Sequence, residues 1–148
     1  MRGVTHILTG ILAGITLYDG FLSVAITALG SLFPDIDNSG SLISSNTGIR
    51  FVSKIFAHRG FFHSLWIPIF LYILVVARPE FSIIIIPFIA GYCVHIIGDS
   101  ITPKGIKLFY PLKTPRLRGS IATGSWIENI IMMILLVITI YVIARRIL

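Results

Sequence analysis

The chain has 148 residues, enough for one domain; 55% of them are hydrophobic and only 12% are charged. Soluble domains carry about a quarter charged residues, so this composition, with a mean hydropathy of +0.94, excludes an ordinary soluble domain and indicates a membrane protein. The net charge of +6 suits anionic lipid headgroups or an anionic substrate, and the single cysteine, Cys93, excludes an intrachain disulfide and a cysteine-rich zinc site.

Five apolar segments predict an all-α membrane bundle of about five helices. They cover residues 4–17, 21–33, 62–77, 81–98 and 126–143. Crossing a hydrocarbon core of about 30 Å takes about 20 helical residues, so the last two segments are long enough or nearly so. The first two predict a short helical hairpin, and the sequence leaves open whether it spans fully. We expect one membrane-embedded domain over residues 1–148, with polar loops at 34–61 and 99–125.

The first segment has the basic start and apolar core of a signal peptide. His6 lies inside that core, however, and another apolar segment follows in place of a cleavage site and a polar chain. We therefore expect the first segment to be a helix of the fold.

Basic residues are unevenly distributed if the helices alternate in direction. Nine of the twelve lysines and arginines then lie on the side of the two long loops, and three lie opposite. The positive-inside rule predicts that the loop side of a multi-pass membrane protein faces the cytoplasm. The pair Arg145 and Arg146, on the opposite side, runs against this rule.

The same threading brings most ionisable side chains to the loop side at about one depth. The set comprises His6, Asp35, Asp37, His58, His63, His95, Asp99 and Glu128. Ionisable groups near lipid are costly and indicate a functional site. Histidine and carboxylate are zinc ligands, and zinc often keeps a position for water. The cluster therefore predicts a hydrolytic metal site.

His95 and Asp99 in "HIIGD" are four residues apart, which places them on one helix face. They could hold an ion together, or simply form a hydrogen bond that closes the helix end. Gly91 lies on the same stripe, and His6, Gly10 and Gly14 form a similar stripe on the first helix. We expect these small-residue stripes to pack against each other, which would bring His6 beside His95.

The remaining acidic and histidine positions each have a structural alternative. His58 and His63, in the first turn of the third helix or just before it, could converge on an ion or bond water and headgroups. "PDID" presents Asp35 and Asp37 on alternate sides of an extended segment, and Asp37 also fits a turn. Glu128 in "SWIE" fits a capping box, Ser-x-x-Glu, as well as a site role.

The second loop alternates basic residues with Phe, Tyr and Pro. One interpretation is an interfacial loop that contacts anionic lipid. The other is that its cations hold a substrate phosphate beside the metal. The candidates for phosphate binding are Arg59, Lys104, Arg116 and Arg118.

Four motifs occur in a fixed order: "HILTG", "LGSLFPDID", "HRGFFHS" and "GYCVHIIGDSITPKGIKLFYPL". This set resembles the YdjM family of inner-membrane-associated, predicted metal-dependent hydrolases. The resemblance implies that the family's polar positions fall on His6, Asp35, Asp37, His58, His63, His95 and Asp99, with Glu128 as an addition. The family is also remotely similar to zinc-dependent phospholipase C and single-strand nuclease enzymes, which implies phosphoester chemistry.

These inferences predict a hydrolase that cleaves an ester, with a phosphoester or a lipid as the favoured substrate. The attacking water would be activated by one or two divalent ions, for which zinc is the first choice. The predicted metal ligands are His6, Asp35, His58, His63, His95 and Asp99, and the predicted general base is Asp37 or Glu128. Two alternatives remain. One is a non-catalytic module that binds a partner or lipid, and the other is a metal transporter, whose ligands should be staggered through the membrane.

Overall fold

The computed structural model describes residues 1–37 and 60–147. Within these ranges the chain forms five α-helices: α1 (Gly3–Leu17), α2 (Phe21–Leu32), α3 (Trp66–Ala77), α4 (Ser82–Ser100) and α5 (Trp126–Ile147). Three short 3-10 helices cover Phe33–Asp37, Phe61–His63 and Pro79–Phe81. The predicted all-α fold is confirmed. The β structure in the described part of the chain is one isolated bridge between Ile106 and Leu117.

Among the described residues, two helices are long and apolar enough to cross a membrane, namely Pro79–Ser100, which includes α4, and Trp126–Arg146 of α5. Large apolar side chains on α5, such as Met133, Val137 and Ile140, are more than half exposed. In water such a surface would be unfavourable, whereas a helix that is apolar on all sides suits a lipid environment.

The end of α2 differs from the expected extended segment. The helix ends at Leu32, and the chain continues as a 3-10 helix over Phe33–Asp37. Pro34 is compatible with this geometry because the first residues of a helix do not need their backbone N–H groups. Asp35 therefore lies on a tight helical turn.

The start of α3 is also later than expected. His63 was predicted in the first turn of this helix, but it lies in the separate 3-10 helix Phe61–His63, and α3 begins at Trp66. Pro68 supplies the physical reason. It has no N–H with which to bond the Ser64 carbonyl, so a helix that extended back to His63 would lack this hydrogen bond, and α3 begins at Trp66.

Small residues pack α2 between α1 and α4. A Cβ added at Gly10 would overlap Ser31 of α2, and one added at Gly91 of α4 would overlap the carbonyl of Thr27 of α2. The expectation that the two stripes pack together is therefore wrong for the glycines, which face α2, and holds at the histidine ends, where His6 stacks on His95. Close approach to a shared third helix still places His6 beside His95.

The α1–α2 hairpin reaches the far end of α5. Arg146 donates a hydrogen bond to the Tyr18 carbonyl (2.9 Å) and lies 3.3 Å from Asp19. At the other end, the backbone N–H of Arg2 donates to Glu128, 2.6 Å away. Helices α1 and α5 thus run parallel and make contacts near both of their ends. Full spanning of a membrane by the α1–α2 hairpin stays a prediction.

The loop between α4 and α5 is folded against the site end of the bundle. Ile106 and Leu117 exchange two backbone hydrogen bonds (2.8 and 2.9 Å), and Leu65, just before α3, donates to the Leu108 carbonyl (2.7 Å). Ile106 is fully buried and joins Tyr92 and Ile96 of α4 in the core. The loop consequently anchors the start of α3 to the end of α4.

Candidate metal centre

Five ionisable side chains from four elements meet at one end of the bundle. Helix α1 carries His6 in its first turn, α4 carries His95 and Asp99 near its end, and the 3-10 helices beside α2 and α3 carry Asp35 and His63. His63 and His95 are fully buried, His6 and Asp99 are 1% exposed, and Asp35 is 7% exposed. Ionisable groups so deeply buried require partners or a metal ion.

The site nitrogens and oxygens lie close together. The Nε2 atom of His63 is 3.3 Å from Nε2 of His95, 3.5 Å from Oδ2 of Asp99 and 3.7 Å from Oδ1 of Asp35. The two α4 side chains are farther apart, with Nε2 of His95 lying 4.0 Å from Oδ2 of Asp99. Oδ1 of Asp99 lies 3.4 Å from Nε2 of His6 and also contacts the Met1 amino group.

The orientation of His95 is set by the backbone of α2. Its Nδ1 atom lies 2.7 Å from the Ser31 carbonyl oxygen. A carbonyl can only accept, so Nδ1 carries the proton and Nε2 presents its lone pair to the cluster. Metal-ligating histidines are commonly held in this way by their second nitrogen.

His6 has a buried nitrogen that suits a metal ion. Its ring stacks on His95 with centroids 3.8 Å apart. Its buried Nε2 atom lies 3.4 Å from Oδ1 of Asp99 and makes no well-formed hydrogen bond to a described residue. A buried polar atom without a hydrogen bond is costly, and an ion would satisfy it.

The donor set fits a divalent ion. Two buried groups, His6–His95–Asp99 and Asp35–His63–His95, have ligand atoms close enough to hold one. Ligands about 2.0–2.2 Å from a tetrahedral zinc lie roughly 3.3–3.6 Å from one another, near the distances measured around His63. Five of the six predicted ligands therefore come together, while His58 lies outside the described residues.

Asp35 lies outside the two long apolar helices, and its surroundings favour the carboxylate form. Burial raises the pKa of Asp35, but the hydrogen bond with His63 and the electrostatic interaction with the nearby histidines outweigh it, so the pKa is lowered from its usual value. The deprotonated form is the one that ligates a metal.

Glu128 belongs to neither ligand group and is held by the start of α1. One carboxylate oxygen accepts from the backbone N–H of Arg2 (2.6 Å) and the hydroxyl of Thr5 (3.1 Å). The other accepts from the Arg2 side chain (3.3 Å) and the backbone N–H of Gly124 (2.5 Å). The Glu128 N–H donates to the Ser125 hydroxyl (3.3 Å). These contacts favour the capping interpretation, and the role of Glu128 as a general base stays a prediction.

The predicted phosphate-binding cations lie on the surface of the second loop. Lys104, Arg116 and Arg118 are exposed, and Arg116 donates to the Lys104 carbonyl (2.7 Å). Arg59 lies outside the described residues, as does the side chain of Asp37. The loop cations thus share the end of the bundle where the ionisable cluster lies, and their role toward a substrate stays a prediction.

Sequence reasoning missed two groups that support the cluster. The Ser31 carbonyl orients His95, and a backbone carbonyl leaves no signal in a sequence. Tyr92 is fully buried one helical turn before His95, and its hydroxyl donates to the Phe62 and Ser64 carbonyls. The supporting role of Tyr92 could have been predicted, because it is an aromatic residue with a hydroxyl group one helical turn from a candidate ligand.

The family profile described as YdjM inner membrane protein matches residues 1–148. The uncharacterized protein YvsG of Bacillus subtilis (strain 168) is 34% identical over 141 residues, covering 89% of this chain and 88% of that protein. Inner membrane protein YdjM of Escherichia coli (strain K12) is 34% identical over 122 residues, 74% of this chain but 60% of that protein.

The same identity and coverage hold for the YdjM protein of Shigella flexneri. No solved structure matches the chain significantly. The full-length profile match, the YvsG relative and the two spanning-length helices agree with one another. The chain is a membrane protein and belongs to the YdjM family of inner membrane proteins.

Proposed function

We propose that this protein is a membrane-bound, metal-dependent hydrolase that cleaves an ester. A phosphoester is the favoured substrate, and a phospholipid is the favoured phosphoester. The observation that supports this proposal most directly is the convergence of three imidazoles and two carboxylates in a buried cluster, with donor atoms 3.3–4.0 Å apart. The buried Nε2 of His6 lies 3.4 Å from Asp99 without a well-formed hydrogen bond, and a bound ion would satisfy it.

Different residues of this chain would bind the metal and accept the proton. His63, His95, Asp35 and Asp99 would hold one ion, for which zinc is the best match, and His6 would complete that set or hold a second ion with Asp99. When bound, such an ion lowers the pKa of a water and polarises a substrate oxygen. Asp37 or Glu128 would accept the proton.

Substrate recognition would come from the loop cations. Lys104, Arg116 and Arg118 project from the loop that closes the site end of the bundle, and Arg59 lies in sequence beside His58. Arginine binds phosphate oxygens with two parallel bonds, whereas lysine acts as a point charge. A lipid substrate would satisfy both interpretations of the loop, since its headgroup lies at the same depth.

The site end would face the cytoplasm. Six of the nine described lysines and arginines lie at this end, namely Arg2, Lys104, Lys107, Lys113, Arg116 and Arg118. Arg78, Arg145 and Arg146 lie at the other end. The positive-inside rule supports the cytoplasmic assignment.

A non-catalytic membrane module is the second candidate. It is favoured by the burial of the cluster, because all five residues are at most 7% exposed in the described structure and structural metal sites leave no open coordination position. Such a module would use the ion to lock α1 to α4 and the loop cations to bind lipid or a partner.

Metal analysis of two carboxylate-to-amide variants, one in the cluster and one far from it, tests the proposal. Purified wild-type protein and the variant E80Q, at an exposed position of the far end, should retain the same content of zinc per chain. D99N should lose most of it, because it removes an anionic ligand from the cluster. Absence of any tightly bound metal from the wild type would overturn the metal centre.

Hydrolysis assays separate the two candidates. A panel of p-nitrophenyl phosphate, bis-p-nitrophenyl phosphate and phospholipid vesicles should reveal turnover in metal-loaded wild type and E80Q, and none in D99N. Full metal occupancy without turnover on any of these substrates would favour the structural module.

A further inference from the structure

Tyr92 links the two histidines at the centre of the cluster. Its side chain is fully buried on α4, one helical turn before His95. Its hydroxyl donates to the Phe62 carbonyl at 2.6 Å and to the Ser64 carbonyl at 3.2 Å. These two carbonyls flank His63 in sequence, so the hydroxyl holds the backbone on both sides of that residue.

The segment that carries His63 is short. It is a 3-10 helix of three residues, closed by the hydrogen bonds His63 N–H to Gly60 (3.1 Å) and Ser64 N–H to Phe61 (3.1 Å). A single helical turn is marginal without tertiary contacts. Its position relative to α4 must therefore be fixed from outside.

Pro68 makes one of the carbonyl contacts necessary. In a continuous helix the Ser64 carbonyl would accept from residue 68, but proline has no N–H to donate. Tyr92 supplies a donor to this carbonyl, and the same hydroxyl reaches the Phe62 carbonyl. The hydroxyl has a single hydrogen, which the Phe62 carbonyl accepts at 2.6 Å and the Ser64 carbonyl shares at 3.2 Å.

We infer that Tyr92 is a positioning residue of the metal centre, which fixes His63 Nε2 at its 3.3 Å distance from His95 Nε2. This inference rests on the metal-binding role proposed above. Tyr92 and His95 lie on the same helix, so the hydrogen bond transmits the rigidity of α4 to a one-turn segment. Loosening it would misplace one ligand while leaving the others where they are.

The variant Y92F tests this role because it removes only the hydroxyl. Loss of groups that orient a metal ligand typically weakens metal affinity by about 10–100-fold, and we expect a loss in that range, measured by competition with a chelating zinc indicator. The cobalt-substituted protein should also show an altered visible absorption spectrum. Y72F, at an exposed tyrosine of α3 that is 57% accessible, should match the wild type in both measurements.

Histidine backgrounds separate positioning from a general loss of stability. In H63A the ligand that Tyr92 positions is absent, so adding Y92F should cause no further loss of metal affinity. In H6A the positioned ligand remains, so Y92F should still weaken binding by about 10–100-fold. An equal loss in both backgrounds would overturn the inference and show a merely structural role.

If Y92F does not fold, Y92Q and Y92L replace it. Both lack the ring, but only glutamine keeps an N–H donor, so Y92Q should bind zinc more tightly than Y92L. Equal affinity in these two variants, or wild-type affinity in Y92F, would overturn the role of Tyr92 alone. Absence of metal from the wild type would overturn the metal centre and this inference with it.

Discussion

Asp99 is central to the cluster because its two carboxylate oxygens face different histidines. Oδ1 lies 3.4 Å from Nε2 of His6, and Oδ2 lies 3.5 Å from Nε2 of His63. A carboxylate placed in this way can serve one ion or bridge two. Glu128 shows the opposite case, since its oxygens are occupied by groups of α1 and of the turn before α5.

The contacts of Glu128 predict a stability effect without loss of metal. In E128Q an amide nitrogen replaces one acceptor oxygen, so two of its hydrogen bonds are lost. Hydrogen bonds to charged groups contribute about 1.5–3 kcal/mol each. We therefore expect the free energy of unfolding of E128Q to fall by at least the contribution of one such bond. Zinc content should stay at the wild-type level, as measured on the folded protein. Full stability combined with abolished turnover would instead identify Glu128 as the general base.

At the scale of the elements, α2 is the helix that organises the site although it contributes no ligand within its own bounds. It accepts the small-residue faces of α1 and α4, its Ser31 carbonyl orients His95, and the 3-10 helix that follows it carries Asp35. Glycine at position 91 is required by close approach, since a side chain there would meet the α2 backbone. The packing of α2 and the geometry of the metal centre are therefore coupled.

This coupling predicts the effect of G91A. The added methyl group must push α4 away from Thr27 and Ser31, which costs about 1–3 kcal/mol in an overpacked core. It also lengthens the His95–Ser31 hydrogen bond, so zinc affinity should fall with stability. Thermal unfolding and zinc titration measure the two effects. G20A, in the α1–α2 turn where a Cβ would meet one atom at 3.8 Å, is the control that should change neither.

At the scale of the whole molecule, the two ends of the helical bundle carry different sets of charged residues. The ionisable cluster and the folded basic loop occupy one end, while the Arg146–Asp19 and Arg78–Glu80 pairs, both at 3.3 Å, occupy the other. Exposed pairs of this kind contribute little to stability. The cluster sits at a single depth, which disfavours the staggered ligands of a transport path.

Removing the metal should destabilise the whole bundle. An ion that binds the folded state at 100 times its Kd stabilises it by about 2.7 kcal/mol. For a chain of this size that corresponds to a Tm about 5–10 °C lower after chelation. D99N should show no response to the chelator. A chelator effect of equal size in D99N would mean that the ion acts elsewhere.

Cysteine accessibility tests the orientation in the membrane. In a cysteine-free C93A background, K113C on the basic loop should react with a membrane-impermeant thiol reagent in inverted vesicles. E80C, at the opposite end, should react in right-side-out vesicles. The reverse labelling pattern would place the site on the external side of the membrane.

The sequence by itself determined the helical membrane fold, the ends of the last two helices within a few residues, and the set from which the site is built. Apolar runs interrupted by proline and polar loops predict helices locally, and ionisable residues at their ends stand out against an apolar background. Alternating direction was then sufficient to bring His6, Asp35, His63, His95 and Asp99 to one end.

Only the tertiary structure decided how these residues meet. The glycine stripes of α1 and α4 both face α2, His63 lies on its own short turn, and Asp35 lies on a 3-10 helix. The supporting contacts of Ser31 and Tyr92 use backbone carbonyls. Side-chain identity does not encode which carbonyl lies nearby, because that depends on the packing of helices distant in sequence.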